Sequence, residues 1–337
     1  MTKTKLFITG ATGFIGGSVL NKLVVTHPEL QITALLRSPS SEFADKYPDV
    51  IVIKGTFDDS DTIESAARES DIVLHCGDTD HVTSVEAILA GLQSRKEKSY
   101  LIHLTGTGCI SDVAEEEWLG KTNPHIWNDV DGIDEIYNLP EKAMHRTVDK
   151  WIQDASNETL KTVCVCPPDI YGQSRGIGNR ATFMVPNYVE ALFQFQEAFY
   201  LGEGQNYRAV THINDVVDIF ILLIEQALQG GGNASWGREG FYFAVSDEVK
   251  WKDAAVAINK LAQENGWLPR GTETVSWDKK TLLSNFPDAP ERAQYIWGSN
   301  SRAKSARAAQ LGWTPRGPSF WAALAEDVSI AAKNHAK

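Results

Sequence analysis

The 337-residue sequence predicts an α/β fold, a Rossmann-type doubly wound parallel sheet with a smaller C-terminal lobe. Three observations carry that expectation. Short apolar runs alternate with amphipathic segments through the first half of the chain, the order that a parallel sheet with crossover helices requires. The first apolar run passes into a helix-period segment through a glycine-rich turn. Beyond about residue 172 the alternation gives way to longer loops and helices.

The run from Lys5 to Thr9 is apolar on both faces, as a buried parallel strand must be, and Phe14 to Val24 has helical period. Gly10, Gly13 and Gly16 join them at the spacing G-x-x-G-x-x-G. The turn therefore lies at a helix N-terminus, where unpaired amides and the positive end of the dipole favour a phosphate. Residues without side chains let a pyrophosphate approach the backbone. A dinucleotide is the expected ligand, held by Gly10, Thr12, Gly13, Phe14, Ile15 and Gly16.

Further strands are expected at 31–37, 50–55, 71–76, 100–105 and 161–166, completing a sheet of six, with helices at 60–69 and 82–92 between them. A long helix is expected over 140–154, with Pro140 near its first turn. Helices near 186–199, 215–228, 251–265 and 320–334 and a strand at 240–244 follow, and the glycine-rich tract 230–237 reads as a surface loop. The expected division is a dinucleotide-binding domain over 1–172 and a lobe over 173–337, with about 210–230 returning to the first domain.

A formal charge of −12, spread along the chain without a basic patch, argues against nucleic acid or an anionic membrane as partner. No charged and apolar leader precedes the first strand and no apolar run is long enough to span a bilayer, so a cytoplasmic location is expected. Cys76, Cys109, Cys164 and Cys166 lie in or just after core strands without a C-x-x-C pair. They read as buried free thiols, and no metal site is expected.

Three later stretches join the glycine motif. Asp169-Ile170-Tyr171-Gly172 follows Pro167-Pro168, Val210-Thr211-His212-Ile213-Asn214-Asp215-Val216 lies further on, and Leu311-Gly312-Trp313-Thr314-Pro315 closes the pattern. Together they resemble the extended or atypical branch of the short-chain dehydrogenase/reductase superfamily, which includes epimerase/dehydratase-like enzymes, over about residues 5–315. The resemblance implies a C-terminal substrate lobe built against the C-terminal ends of the strands. It implies that Asp58 lies beside the adenine, that the backbone at Cys76 and Gly77 passes along the cofactor, and that Pro168 and Ile170 line the nicotinamide end. Asp58 read on its own is equally a helix cap. Arg175, Arg180 and Arg208 fall where extended relatives grip a sugar nucleotide's diphosphate, and relatives often form homodimers through the helices flanking the fifth strand.

The second strand ends in Arg37, followed by Ser38 and Ser40, where NAD-preferring folds carry an acid. A guanidinium beside hydroxyls suits a 2′-phosphate, so NADP(H) is expected ahead of NAD(H). The other reading of Arg37 is a solvated strand-end charge.

Short-chain reductases place a Ser/Thr after the fifth strand and Tyr-x-x-x-Lys on the next helix, where the lysine lowers the tyrosine pKa for proton exchange with a carbonyl. Thr105 matches the hydroxyl, with Thr107 as a substitute. The helix lacks the rest: aligning Val148-Asp149-Lys150-Trp151-Ile152 with the family's pattern puts His145 at the lysine position and Glu141 at the tyrosine position. Tyr137, from the preceding loop, and His145 are the candidates to supply the proton. Packing or capping is the other role for His145. His81, in Asp78-Thr79-Asp80-His81, either meets substrate or caps a loop. The expected function is an NADP(H)-dependent oxidoreductase acting on a small or medium carbonyl-type substrate. The alternatives are a catalytically degenerate redox sensor and a sugar-nucleotide epimerase or dehydratase.

Overall fold

A computed structural model of the chain describes residues 3–178 and 181–335. Its first half follows the alternation: β1 (Lys5–Thr9), α1 (Phe14–Thr26), β2 (Gln31–Leu36), α2 (Ser41–Lys46), β3 (Ile51–Lys54), α3 (Ser60–Arg68), β4 (Ile72–His75), α4 (Val82–Gln93) and β5 (Ser99–Leu104). Two 3-10 turns, β6 (Trp127–Asn128) and α5 (Ile133–Tyr137) then separate β5 from α6 (Arg146–Asp154) and β7 (Leu160–Cys166). Next come β8 (Asp169–Tyr171), α7 (Met184–Phe195), β9 (Ala198–Leu201), β10 (Tyr207–His212), α8 (Ile213–Leu228) and β11 (Phe241–Phe243). The chain ends with β12 (Asp247–Lys250), α9 (Trp251–Glu264), β13 (Thr274–Trp277), α10 (Lys279–Asn285), α11 (Pro290–Gly298), β14 (Ala303–Lys304), α12 (Ala306–Gln310) and α13 (Phe320–His335).

The main sheet is parallel, in the order β11-β7-β5-β4-β1-β2-β3. It has seven strands where six were expected. Phe241, Tyr242 and Phe243, all buried, pair with Cys164, Val165 and Cys166 and extend the sheet by one edge. Alternate residues of β1 feed opposite layers, as a period of two requires. Leu6 and Ile8 pack with Val19, Leu20 and Leu23 of α1 and Phe220 and Ile224 of α8. Phe7 packs with Ile63, Ile88 and Ile152 of α3, α4 and α6. A third cluster, rich in rings from Tyr188, Phe199, Trp251 and Trp297, forms the core of the C-terminal lobe.

The expected helix over 140–154 is shorter. Residues 140–145 form turns, and α6 begins at Arg146 because His145 adopts φ +65°, a left-handed conformation that a right-handed helix cannot contain. The helix expected to reach residue 199 stops at Phe195, since Gln196 is also left-handed (φ +53°) and the chain re-enters as β9. Strand order reverses about β1, between β4 and β2, which opens a crevice at the C-terminal ends of these strands.

Candidate active site

The glycine turn between β1 and α1 is shaped by close backbone approaches. Gly10 has φ +70°, and a Cβ there would run into the Cys76 carbonyl at the end of β4. A Cβ on Gly16 would strike the Gly10 carbonyl oxygen. Gly13 precedes α1 without a side-chain cap, and no acid lies in the helix's first turn. The unshielded helix N-terminus and the bare backbone cradle fit the pyrophosphate of a dinucleotide. Residues 172–178 lie across this turn: Ser174 Oγ donates to the Phe14 carbonyl at 3.0 Å and meets Ser18 Oγ at 2.9 Å. A Cβ on Gly178 would meet the Thr12 carbonyl.

Along the crevice, Arg37 is exposed after β2 with no ion-pair partner among the described residues. Ser40 Oγ accepts from the Phe43 amide at 3.2 Å and caps α2. Asp58 does not cap α3, whose first turn follows Asp59; its Oδ1 lies 3.3 Å from His81 Nε2. His81 Nδ1 in turn accepts from the Ser84 amide and caps α4. Gly77 leaves room for the Phe57 ring, which a Cβ would strike.

Past the crevice lies a cavity of 400 Å³ lined by Phe14, Ile15, Cys76, Thr105, His145, Pro168, Ile170, Phe183 and Tyr295, among others. The structure thus brings Thr105 and His145 together with Phe14, Ile15, Cys76, Pro168 and Ile170. Thr105 is buried at the end of β5, and its hydroxyl donates to Asp149 Oδ2 at 2.9 Å. Burial raises the Asp149 carboxyl to about 7 against the opposing pull of that hydrogen bond and of His145 and Arg146.

The left-handed turn frees the His145 side chain from the face of α6. Its Nδ1 lies 2.9 and 3.0 Å from the two carboxylate oxygens of Asp80, so a neutral imidazole bonded to this carboxylate carries its proton on Nδ1. Nε2 points towards the glycines after β5, 3.5 Å and 3.3 Å from where a Cβ on Gly106 or Gly108 would sit. Behind it, His75 and His103 stack at 5.2 Å. Burial pushes His75 down to about 4 and His103 well below its usual range, so both stay neutral.

Tyr137 is not among the cavity residues. Its hydroxyl donates to Asp154 Oδ1 at 2.6 Å, and its ring carries Lys150 and Arg238 at 3.8 and 4.3 Å on an outer shelf. Arg208 is also withdrawn: it is buried in β10, 2.7 Å from Asp169 Oδ2. Arg175 is exposed and Arg180 lies outside the described residues. The sequence stretches 78–81 and 148–152 give Asp80 and Asp149 no role on their own. Their pairing with His145 and Thr105 depends on non-local packing, and the only local hint was a carboxylate four residues after His145.

The four cysteines are free and buried. Among the described residues no group of three or more His, Cys, Asp or Glu gathers as a metal site, and no helix is long and apolar enough to cross a membrane.

Comparison with known proteins agrees with this fold. The NAD(P)H-binding family profile matches residues 10–175, and that of the NAD dependent epimerase/dehydratase family matches 135–236. An Acremonium sp protein described as oxidase ucsJ is 32% identical over 334 residues, covering 94% of each chain. The Thermotoga maritima UDP-glucose 4-epimerase, solved with UDP-glucose, shares the fold at TM-score 0.65 and 15% identity, over 98% of this chain and 100% of that one. A Bacillus anthracis dTDP-glucose 4,6-dehydratase, solved with NAD, does so at 0.62 and 13%, over 99% and 98%. The chain belongs to the NAD(P)-binding, epimerase/dehydratase-like extended branch of the short-chain dehydrogenase/reductase superfamily.

Proposed function

We propose that the chain is an NADP(H)-dependent oxidoreductase that reduces a carbonyl group in the 400 Å³ cavity, with His145 supplying the proton. The observation that carries this reading is the Asp80–His145 pair, which leaves Nε2 as the imidazole nitrogen facing the cavity. The glycine turn would hold the coenzyme's pyrophosphate, Arg37 and Ser38 its 2′-phosphate, and Pro168 and Ile170 its nicotinamide. Bound there, the nicotinamide supplies the hydride. Thr105 hydrogen-bonds the substrate oxygen. His145, protonated on both nitrogens and held by Asp80, gives its Nε2 proton to that oxygen as charge develops on it, the task that Tyr-x-x-x-Lys performs elsewhere. Tyr137, committed to Asp154, takes no part.

Loss of NADPH absorbance with a panel of aldehydes, ketones and enones tests the reading. His145→Ala should lower kcat by about 10²–10⁴, the range of one positioned acid, while NADPH affinity stays near that of the parent. Calorimetry should show NADPH binding more tightly than NADH, with Arg37→Glu reversing the order. Undiminished turnover in His145→Ala would remove the histidine from the mechanism, and no turnover by the parent would remove the reductase.

A further inference from the structure

Gly108 and Tyr295 line both the catalytic cavity and a larger chamber of 1280 Å³ between the turns after β5 and helix α11. Extending the reductase reading, on which it rests for the position of the reacting carbon, we propose that this chamber takes an uncharged aromatic carbonyl compound rather than a phosphorylated one. Its walls carry the rings of Trp118 and Trp127 and the apolar side chains of Ile110, Val113, Leu139 and Met144. Met144 and, beside the smaller cavity, Phe183 are 42% and 44% exposed, so apolar surface at both mouths is left for a ligand to cover.

The charges point the same way. A diphosphate is gripped by arginines and lysines free to turn their donors onto it. Arg208, in the motif strand, is 1% exposed and spends its donors on Asp169, the Tyr295 carbonyl and Ser299 Oγ at 2.7, 3.0 and 2.8 Å. Arg302 engages both carboxylate oxygens of Glu248, and Lys279 lies 2.5 Å from Glu116. Arg292 donates to Asn187 and lies 5.1 Å over the Phe183 ring. Among the described cations of the wall only Lys142 has no partner, and Glu115 and Glu291, without cationic partners among the described residues, would face an anion. Rings and apolar groups instead gain from stacking an aryl ketone.

Calorimetric titration of the full chain, with and without NADP⁺, decides the matter, using 2-acetylnaphthalene, UDP-glucose and UDP as probes. The aryl ketone should saturate, and the two nucleotides, at about ten times its concentration, should neither bind nor displace it. Trp118→Ala should weaken the ketone about tenfold without moving the thermal midpoint or the coenzyme affinity. A chamber that UDP-glucose saturates, a ketone that fails to bind, or a Trp118→Ala variant with unchanged ketone affinity would each overturn the proposal. Ketone binding without NADPH consumption would sink the reductase and leave the ligand class standing, whereas NADPH consumption with a phosphorylated substrate would do the reverse.

Discussion

Thr105 has one hydroxyl proton, and Asp149 decides where it points. While the carboxylate is ionised it accepts that proton, leaving only Thr105 lone pairs for the cavity. Once Asp149 is neutral it donates to Thr105 instead, and the threonine proton is free to bind a carbonyl oxygen. Asp149 is faced by Thr105, His145, Arg146 and Asp80, with Cys164 beneath it, and its Oδ1 has no hydrogen-bond partner among the described residues. Carbonyl reduction should therefore fall as pH rises through about 7, and Asp149→Asn should flatten that limb of the profile. Stability follows the same titration. A carboxyl raised from 3.8 to about 7 by folding contributes stability that is complete below pH 3.8 and lost as pH rises through about 7. Relative to the parent, the Asn variant should be most stable at pH 8, and its advantage should shrink by roughly 2 to 4 kcal/mol between pH 8 and 5, read from urea midpoints. Parallel stability curves would show that Asp149 does not titrate between these limits.

The beginning of α6 is where local rules and tertiary packing part. A left-handed non-glycine residue costs about 1 kcal/mol or more, and His145 bears that cost at the position that turns its ring into the cavity. His145→Gly should accordingly be about 1 kcal/mol more stable than His145→Ala by denaturant titration, although both lose the imidazole. Equal stabilities would mean that the turn relaxes when the ring is removed. This stretch also shows what was legible in the chain. β1 to β5 and β7 announced themselves as short apolar runs, and the glycine spacing placed the first turn, because both signals are local. Pro140 followed by Glu141, Lys142, Ala143 and Met144 reads as a helix start. The break is imposed from outside: the Arg146 guanidinium bonds the Tyr137 and Leu139 carbonyls, and Asp80, from the loop after β4, holds His145. The place of Tyr137 outside the cavity is hidden for the same reason, since a spacing along the chain cannot reveal that the ring ends on a shelf of cations.

At the scale of the whole molecule, buried polar contacts tie the lobe to the nucleotide-binding half between larger apolar cores. Gly172 donates to Asp327 of α13 at 2.9 Å, and Tyr171 to the Pro318 carbonyl at 2.8 Å. A buried ion pair, Arg208 with Asp169, is another. From β10 the Arg208 guanidinium joins Asp169, the first residue of β8 and part of the cavity lining, to the Tyr295 carbonyl in α11 and to Ser299 just after it. The pair's net contribution to stability is small, because each charge gave up water to enter the interior; breaking it is another matter, because the surviving carboxylate stays buried without a counter-ion. Arg208→Met should therefore cost about 3 to 5 kcal/mol by urea denaturation at pH 7, and Asp169→Leu added to it should restore most of that loss. The discriminating quantity is the coupling energy of the double-mutant cycle. If the two losses simply add, Asp169 reaches water or another partner when Arg208 is gone, and β8, β10 and α11 are held together by their apolar contacts alone.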